Sequence, residues 1–72
     1  MTHEEMMDRA WRFIEEVGIT EDKAAYQEDN TLILVDDVHK VRDAYYNDLE
    51  SGVEIEDEDV YGFLDRHGIK WQ

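Results

Sequence analysis

Cysteine and proline are both absent from the sequence. Without cysteine the chain cannot form a disulfide, bind zinc through thiolates or use a thiol nucleophile. Without proline or any run of linker composition, nothing in the 72 residues marks a boundary between domains. A chain of this length supports only one small core, so we predict a single acidic helical domain over residues 1–72.

Basic residues are scarce as well. Seven lysines and arginines face twenty aspartates and glutamates, which gives a formal net charge of -13 at pH 7. A field of this sign repels nucleic-acid phosphates and attracts basic surfaces, so we expect no direct binding of DNA or RNA. No apolar run has the length of a membrane span, and acids occupy residues 1–10, where a secretory signal needs positive charge. We therefore expect a cytoplasmic protein that does not associate with membranes.

Motifs of catalysis and of cofactor binding are missing. The four glycines are dispersed, so neither a dinucleotide fingerprint nor a Walker sequence is present, and Ser51 has no nucleophile motif around it. Asp57 and Asp59 imitate the opening of a calcium loop, but Gly68 stands where the loop needs its bidentate glutamate. No two histidines have helical metal-pair spacing: His3, His39 and His67. We expect no enzyme activity, no cofactor and no metal site.

The first predicted element is an amphipathic helix over residues 3–17. Thr2 and Glu5 have the spacing of a capping box at its start, and Gly18 followed by Ile19 predicts a Schellman ending. At about 100° per residue, one side of the helix is apolar. It holds Met6, Ala10, Phe13, Ile14 and Val17. The opposite side carries a first row of acids: Glu4, Asp8 and Glu15.

A second, short helix is predicted over residues 20–27, with Thr20 as its N-cap. A last helix is predicted from Glu58 to His67, with Asp57 as its N-cap. Gly68 followed by Ile69 repeats the glycine-isoleucine ending of the first helix.

The long stretch over residues 31–52 carries the main structural ambiguity. Leu34, Val35 and Val38 begin a stripe of helical spacing that continues to Leu49, yet residues 32–35 are four consecutive apolar residues and also suit a buried strand. The partner strands considered, residues 23–27 and 53–56, are poor by propensity or length. We predict an all-α fold, a small three- to four-helix bundle, with an α+β fold containing a short strand at residues 31–35 as the alternative.

Acids are densest shortly before the last helix, where five carboxylates occupy six positions. They are Glu54, Glu56, Asp57, Glu58 and Asp59. One explanation is a solvated loop that ends in a helix cap, since acids favour a helix N-terminus. The other is a binding site for lysine and arginine side chains of a partner. Asp43 and Glu50 of the long helix extend this second row, and Trp71 is a candidate aromatic anchor in an interface.

The leading functional hypothesis is a binding protein that engages the basic, nucleic-acid-binding surface of a partner protein and inhibits it by imitating the charge of DNA or RNA. In size and charge the chain resembles small inhibitors of phages or mobile elements, which would place it in the cytoplasm of the host cell. The alternatives are an interaction or antitoxin-like module that binds through an apolar patch, and adaptation of the surface to high salt. A homodimer is compatible with the small core.

Overall fold

The computed structural model describes residues 2–53 and 59–72. These residues form four helices and a two-stranded parallel sheet, so the fold is mostly helical. The elements in chain order are α1 (His3–Val17), β1 (Ile19–Thr20), α2 (Lys23–Glu28), β2 (Ile33–Leu34), α3 (Val38–Ser51) and α4 (Val60–Arg66).

Helix α1 has the predicted bounds and the predicted ends. The Thr2 hydroxyl accepts a hydrogen bond from the Glu5 backbone N–H at 3.2 Å and donates to the Glu5 carboxylate at 3.2 Å. Gly18 adopts the left-handed conformation, with φ of 75°, and its N–H donates to the Glu15 carbonyl at 3.3 Å. Met6, Ala10 and Ile14 of the predicted apolar side are buried.

Strand β2 corrects the all-α prediction. The N–H groups of Ile33 and Val35 donate to the carbonyls of Gly18 and Thr20, at 2.7 and 2.9 Å, so residues 33–35 are extended and α3 begins only at Val38. The strand lies within residues 31–35, where the α+β alternative placed it. The prediction contains no partner for it, because local signals place residues 19–20 at a helix end and a helix cap. The left-handed turn at Gly18 instead leaves them extended beside β2.

Two other helix starts also differ from the prediction. Helix α2 is capped by Asp22, whose carboxylate accepts from the Ala24 N–H at 2.9 Å, while the Thr20 hydroxyl accepts from the Asp22 N–H. Helix α4 is capped by Asp59 and ends at Arg66. The cap predicted two residues earlier falls among residues 54–58, which lie outside the described residues. In both helices the aspartate nearest the first turn provides the cap.

The core lies between α1, α3, α4 and the sheet. Its fully buried side chains include Val41, Phe63 and Leu64. Phe13 of α1 stacks on Tyr45 of α3 with ring centroids 4.6 Å apart, and both rings also contact Phe63 of α4. Offset and edge-to-face pairs of this kind add to the free energy gained from apolar burial.

One charged side chain, Asp48, is buried among these apolar groups. It lies on the core side of α3 with only 4% of its surface exposed. Arg66 of α4 contacts both carboxylate oxygens of Asp48, and the His67 ring nitrogen Nε2 lies 3.0 Å from Oδ1. The hydrogen bond from Arg66 is the largest cause that lowers the pKa of Asp48 below its ordinary value. This cluster joins α3 to α4.

Substitution by alanine should have opposite effects on stability at the glycine that ends α3 and at the glycine inside α4. Gly52 ends α3 with φ of 74°, so Gly52→Ala should lower the free energy of unfolding by about 1 kcal/mol, although no atom obstructs the new methyl group. Gly62 is an exposed residue inside α4, so Gly62→Ala should raise it by about 0.5–1 kcal/mol. Urea denaturation of both variants measures the difference, and equal signs would contradict this account of the two positions.

Asp48→Asn should lower the free energy of unfolding by about 2 kcal/mol at neutral pH, because Arg66 loses the charge it binds. Since folding lowers the pKa of Asp48, its contribution is complete above the unfolded pKa of about 4 and is lost as pH falls through the folded value. The difference in the free energy of unfolding between wild type and Asp48→Asn should therefore disappear in acid.

The matched control is Asp43→Asn, the same substitution on the exposed side of the same helix. Asp43 pairs with Arg42 at 2.8 Å, but 64% of its side chain is exposed, so the expected loss is below about 0.5 kcal/mol. Equal losses in the two variants would show that burial of Asp48 does not matter.

Candidate partner-binding surfaces

The first predicted acid row lies on the exposed side of α1. Glu4, Asp8 and Glu15 are all exposed, as the helical spacing required. Asp8 forms an ion pair with Arg12, Nε to Oδ2 3.1 Å. The side-chain carboxylates of Glu4 and Glu15 form no ion pair or hydrogen bond with any residue of the described part of the chain. Two of the three carboxylates in this row are therefore available to a partner.

The described members of the second predicted row, Asp43 and Glu50, lie two turns apart on the exposed side of α3. Asp43 accepts two hydrogen bonds from the neighbouring Arg42, at 2.8 and 3.0 Å. Glu50 has no such partner among residues 2–53 and 59–72. The row therefore contributes one unpaired carboxylate and one that is neutralised by its neighbour.

Helices α1 and α3 pack side by side and run in opposite directions. His3 at the start of α1 lies against Tyr46 near the end of α3, Nδ1 to hydroxyl 2.8 Å. Further along α1, Trp11 meets His39 near the start of α3, with ring centroids 5.6 Å apart. These contacts mark a seam between the two helices, and Arg42 crosses it with its guanidinium 5.6 Å from the Trp11 ring centre.

The acids of the two rows that lie on α1 and α3 border this seam. On α1, Glu4 and Glu15 are within about 40° of Trp11 around the helix axis, and on α3 Glu50 has the same relation to Tyr46. The structure therefore brings the acids of α1 and α3 to one side of the helix pair. We name this side the acidic face: Glu4, Asp8, Glu15, Asp43 and Glu50.

The dense acidic stretch is represented among the described residues only by its last member. Asp59 is the N-cap of α4, where its carboxylate accepts from the Tyr61 backbone N–H at 3.1 Å. This is the role of a helix cap, which the sequence offered as one of two explanations. The other four acids of the stretch lie outside the described residues: Glu54, Glu56, Asp57 and Glu58.

Other aspartates also hold backbone groups at the start of helices and turns. Asp37 caps α3 by accepting from the His39 N–H at 2.9 Å, and Asp29 accepts from both the hydroxyl and the N–H of Thr31. The Thr31 hydroxyl and N–H lower the pKa of Asp29. Part of the acid content is thus used to build local structure, which composition by itself does not reveal.

Trp71 lies apart from the acidic face. Its indole N–H donates to Asp65 of α4 at 3.0 Å, and its ring lies 4.5 Å from that of Tyr61, with 38% of the residue exposed. Beside it is an open groove of about 720 Å³. The groove is lined by Lys23, Leu34, Val35, Asp36, Asp65, Gly68, Ile69, Lys70, Trp71 and Gln72, and by none of the carboxylates of the acidic face.

Two features of these surfaces were missed in the sequence. Tyr61, 42% exposed, completes an aromatic pair with Trp71, but the two are far apart in the chain and only the folding of the C-terminal residues onto β2 brings them together. Asp48 could have been recognised from its spacing, since it follows Val41 and Ala44 of the core side by seven and four residues.

Across residues 2–53 and 59–72, no group of three or more histidines and carboxylates has the arrangement of a metal site. Within the same residues, no helix is both long and apolar enough to cross a membrane. No family model, curated protein or solved structure matches this chain.

Proposed function

We propose that the protein binds the basic, nucleic-acid-binding surface of a partner protein and inhibits it by competing with DNA or RNA for that surface. The observation that carries the proposal is the acidic face, on which Glu4, Glu15 and Glu50 are exposed and have no partner among the described residues. A carboxylate without an internal ion pair can accept charge-assisted hydrogen bonds from lysine or arginine without first breaking a bond inside the protein.

The rest of the charge assists encounter rather than contact. A net charge of -13 on 72 residues creates a long-range field that speeds association with a cationic surface at moderate salt. Binding at such a surface would occupy the lysines and arginines that contact nucleic-acid phosphates, so the two ligands would exclude each other. Packing of α1 against α3 fixes the spacing of the carboxylates before the partner arrives, which limits the entropy lost on binding.

The charge density of the face defines how close this imitation is. Helix α1 carries five acids and two arginines over 15 residues, a net of -3 along about 22 Å. Duplex DNA carries one charge per about 1.7 Å of axis. The acidic face is therefore much less charged than DNA, and we propose that it binds through a few matched ion pairs and not by reproducing a whole phosphate backbone.

A second candidate function rests on the exposed pair of Tyr61 and Trp71. Aromatic residues held in place at the surface are common anchors of protein interfaces, and Asp65 fixes the Trp71 ring through its indole N–H. In that case the protein would be a general interaction or antitoxin-like module, and its acids would serve solubility or adaptation to salt.

Reversal of two free carboxylates tests the leading proposal. Glu15→Lys with Glu50→Lys should weaken capture of nucleic-acid-binding proteins from a lysate about tenfold or more at physiological salt, because two attractive contacts become repulsive. Captured proteins should be released by a salt gradient and by added duplex DNA. Quantitative mass spectrometry of the eluted fractions measures both effects.

The matched control is Glu16→Lys with Glu28→Lys, which makes the same change in net charge. Glu16 lies about 100° around α1 from Glu15, and Glu28 lies on α2, so both are outside the acidic face. This control should retain capture. Equal weakening in both variants would show that only total charge matters, and retention of partners in multimolar salt would favour the Tyr61 and Trp71 surface.

Adaptation to high salt makes a different prediction about folding. We expect full helical circular dichroism at about 10 mM salt, changing by less than about 10% in 2 M salt, because caps and core hold the helices without screening. A chain that folds only in multimolar salt would show that its acids serve hydration in brine.

A further inference from the structure

Trp71 and Gln72 extend the two-stranded sheet by an isolated antiparallel bridge on the free side of β2. Leu34 of β2 and Gln72 exchange both backbone hydrogen bonds, at 3.2 and 2.9 Å, and Val35 faces Trp71 in an antiparallel bridge. The order across the sheet is therefore β1, β2 and residues 71–72. We name residues 70–72 the outer strand, of which only Trp71 and Gln72 pair with β2.

The backbone of Trp71 faces the open side of the outer strand. In an antiparallel ladder the residue next to a hydrogen-bonded pair directs its N–H and C=O away from the neighbouring strand. Val35, which faces Trp71, shows this alternation, because its N–H turns away from the outer strand and bonds to Thr20 of β1. Correspondingly, the backbone N–H and C=O of Trp71 bond to no described residue. An edge of this kind can accept another strand.

Charge also distinguishes this edge from the rest of the molecule. Residues 66–72 are the longest stretch of the sequence without an aspartate or glutamate, and they contain Arg66 and Lys70. Lys70 forms no ion pair with any residue of the described ranges. Between two chains of charge -13, repulsion is weakest where the facing segments carry no acids.

We propose that two copies of this chain associate through the outer strand, in antiparallel register about Trp71, so that the two Trp71 peptide groups exchange hydrogen bonds. The two sheets then join into one sheet across a two-fold axis, as an isologous interface requires. This inference does not depend on the proposed binding of a basic partner, which uses the acidic face on α1 and α3.

The register about Trp71 places no acid within the paired strands, and an acid beside the contact, Asp65, is bonded to the Trp71 indole N–H of its own chain. Lys70 of one copy lies opposite Gln72 of the other, so no like charges face each other directly. The two Trp71 rings project to the same side of the joined sheet, where each is already held by Tyr61 and Asp65 of its own chain. Rings fixed before association lose little conformational entropy, and a cross-strand aromatic pair stabilises the contact.

The salt dependence of this association is the reverse of that expected for binding a basic partner. Both copies are strongly acidic, so screening reduces their mutual repulsion and favours the dimer. Contacts with a basic partner weaken under the same conditions. One series of salt concentrations can therefore test the dimer and the binding of a basic partner independently.

Sedimentation equilibrium of the whole chain tests the proposal. We expect a monomer-dimer equilibrium that becomes at least about threefold tighter between 0.05 and 0.5 M NaCl. Lys70→Glu places an acid in the outer strand and should weaken the dimer about tenfold or more. Arg9→Glu makes the same change of charge on the exposed side of α1 and should weaken it much less. A monomer at about 1 mM in 0.5 M NaCl, or equal effects of both variants, overturns the proposal.

Disulfide cross-linking of introduced cysteines tests the register, because the sequence contains no cysteine of its own that could react. In the proposed register residue 70 faces residue 72 of the second copy, within disulfide range, whereas residue 70 lies about 7–8 Å from its own counterpart. A mixture of Lys70→Cys and Gln72→Cys chains should therefore give mainly the mixed disulfide on mild oxidation, as read by mass spectrometry. A statistical mixture of the three disulfides would rule out this register.

Discussion

Hydrogen bonding on both sides of residues 33–35 is the constraint on which the rest of the fold depends. The N–H groups of Ile33 and Val35 bond to the chain that leaves α1, while Leu34 bonds to Gln72 at the other end of the described residues. This one extended segment therefore holds together the exit of α1, the entry to α3 and the outer strand. Because its three side chains are also buried, its position is fixed by apolar packing as well as by backbone bonds.

Local signals gave α1 and its two ends correctly, because a capping box, an apolar side and a left-handed glycine lie within a few residues of one another. The strand was harder. Ile33 and Leu34 fit a helix by periodicity, and their partner, residues 19–20, is too short to show a pattern of its own. What decided the structure was a long-range pairing made possible by the turn at Gly18, which no window of local sequence contains.

The candidate surfaces were likewise predictable only in part. Exposure of the acids on α1 and α3 followed from helical spacing, so their placement on the outer sides of both helices was predictable. The antiparallel packing that brings the acids of α1 and α3 to one seam was not predictable, since it depends on contacts such as the one between His3 and Tyr46. The separation of Trp71 from the acidic face was not predictable either, because the pairing of residues 71–72 with β2 decides where the Trp71 ring lies.

Aspartates supply most of the carboxylates that hold the described part of the fold together, beside Glu5 at the start of α1 and Glu21, which accepts from the Val38 N–H. Aspartates cap α2, α3 and α4, and another joins α3 to α4 from within the core: Asp22, Asp37, Asp59 and Asp48. The carboxylates of several glutamates form no hydrogen bond or ion pair in the described part of the chain: Glu4, Glu15, Glu16, Glu28 and Glu50. The short aspartate side chain reaches a nearby backbone N–H more readily, which explains the division. Selection for folding alone would therefore preserve the four aspartates, whereas preservation of these glutamates would require a role outside the fold.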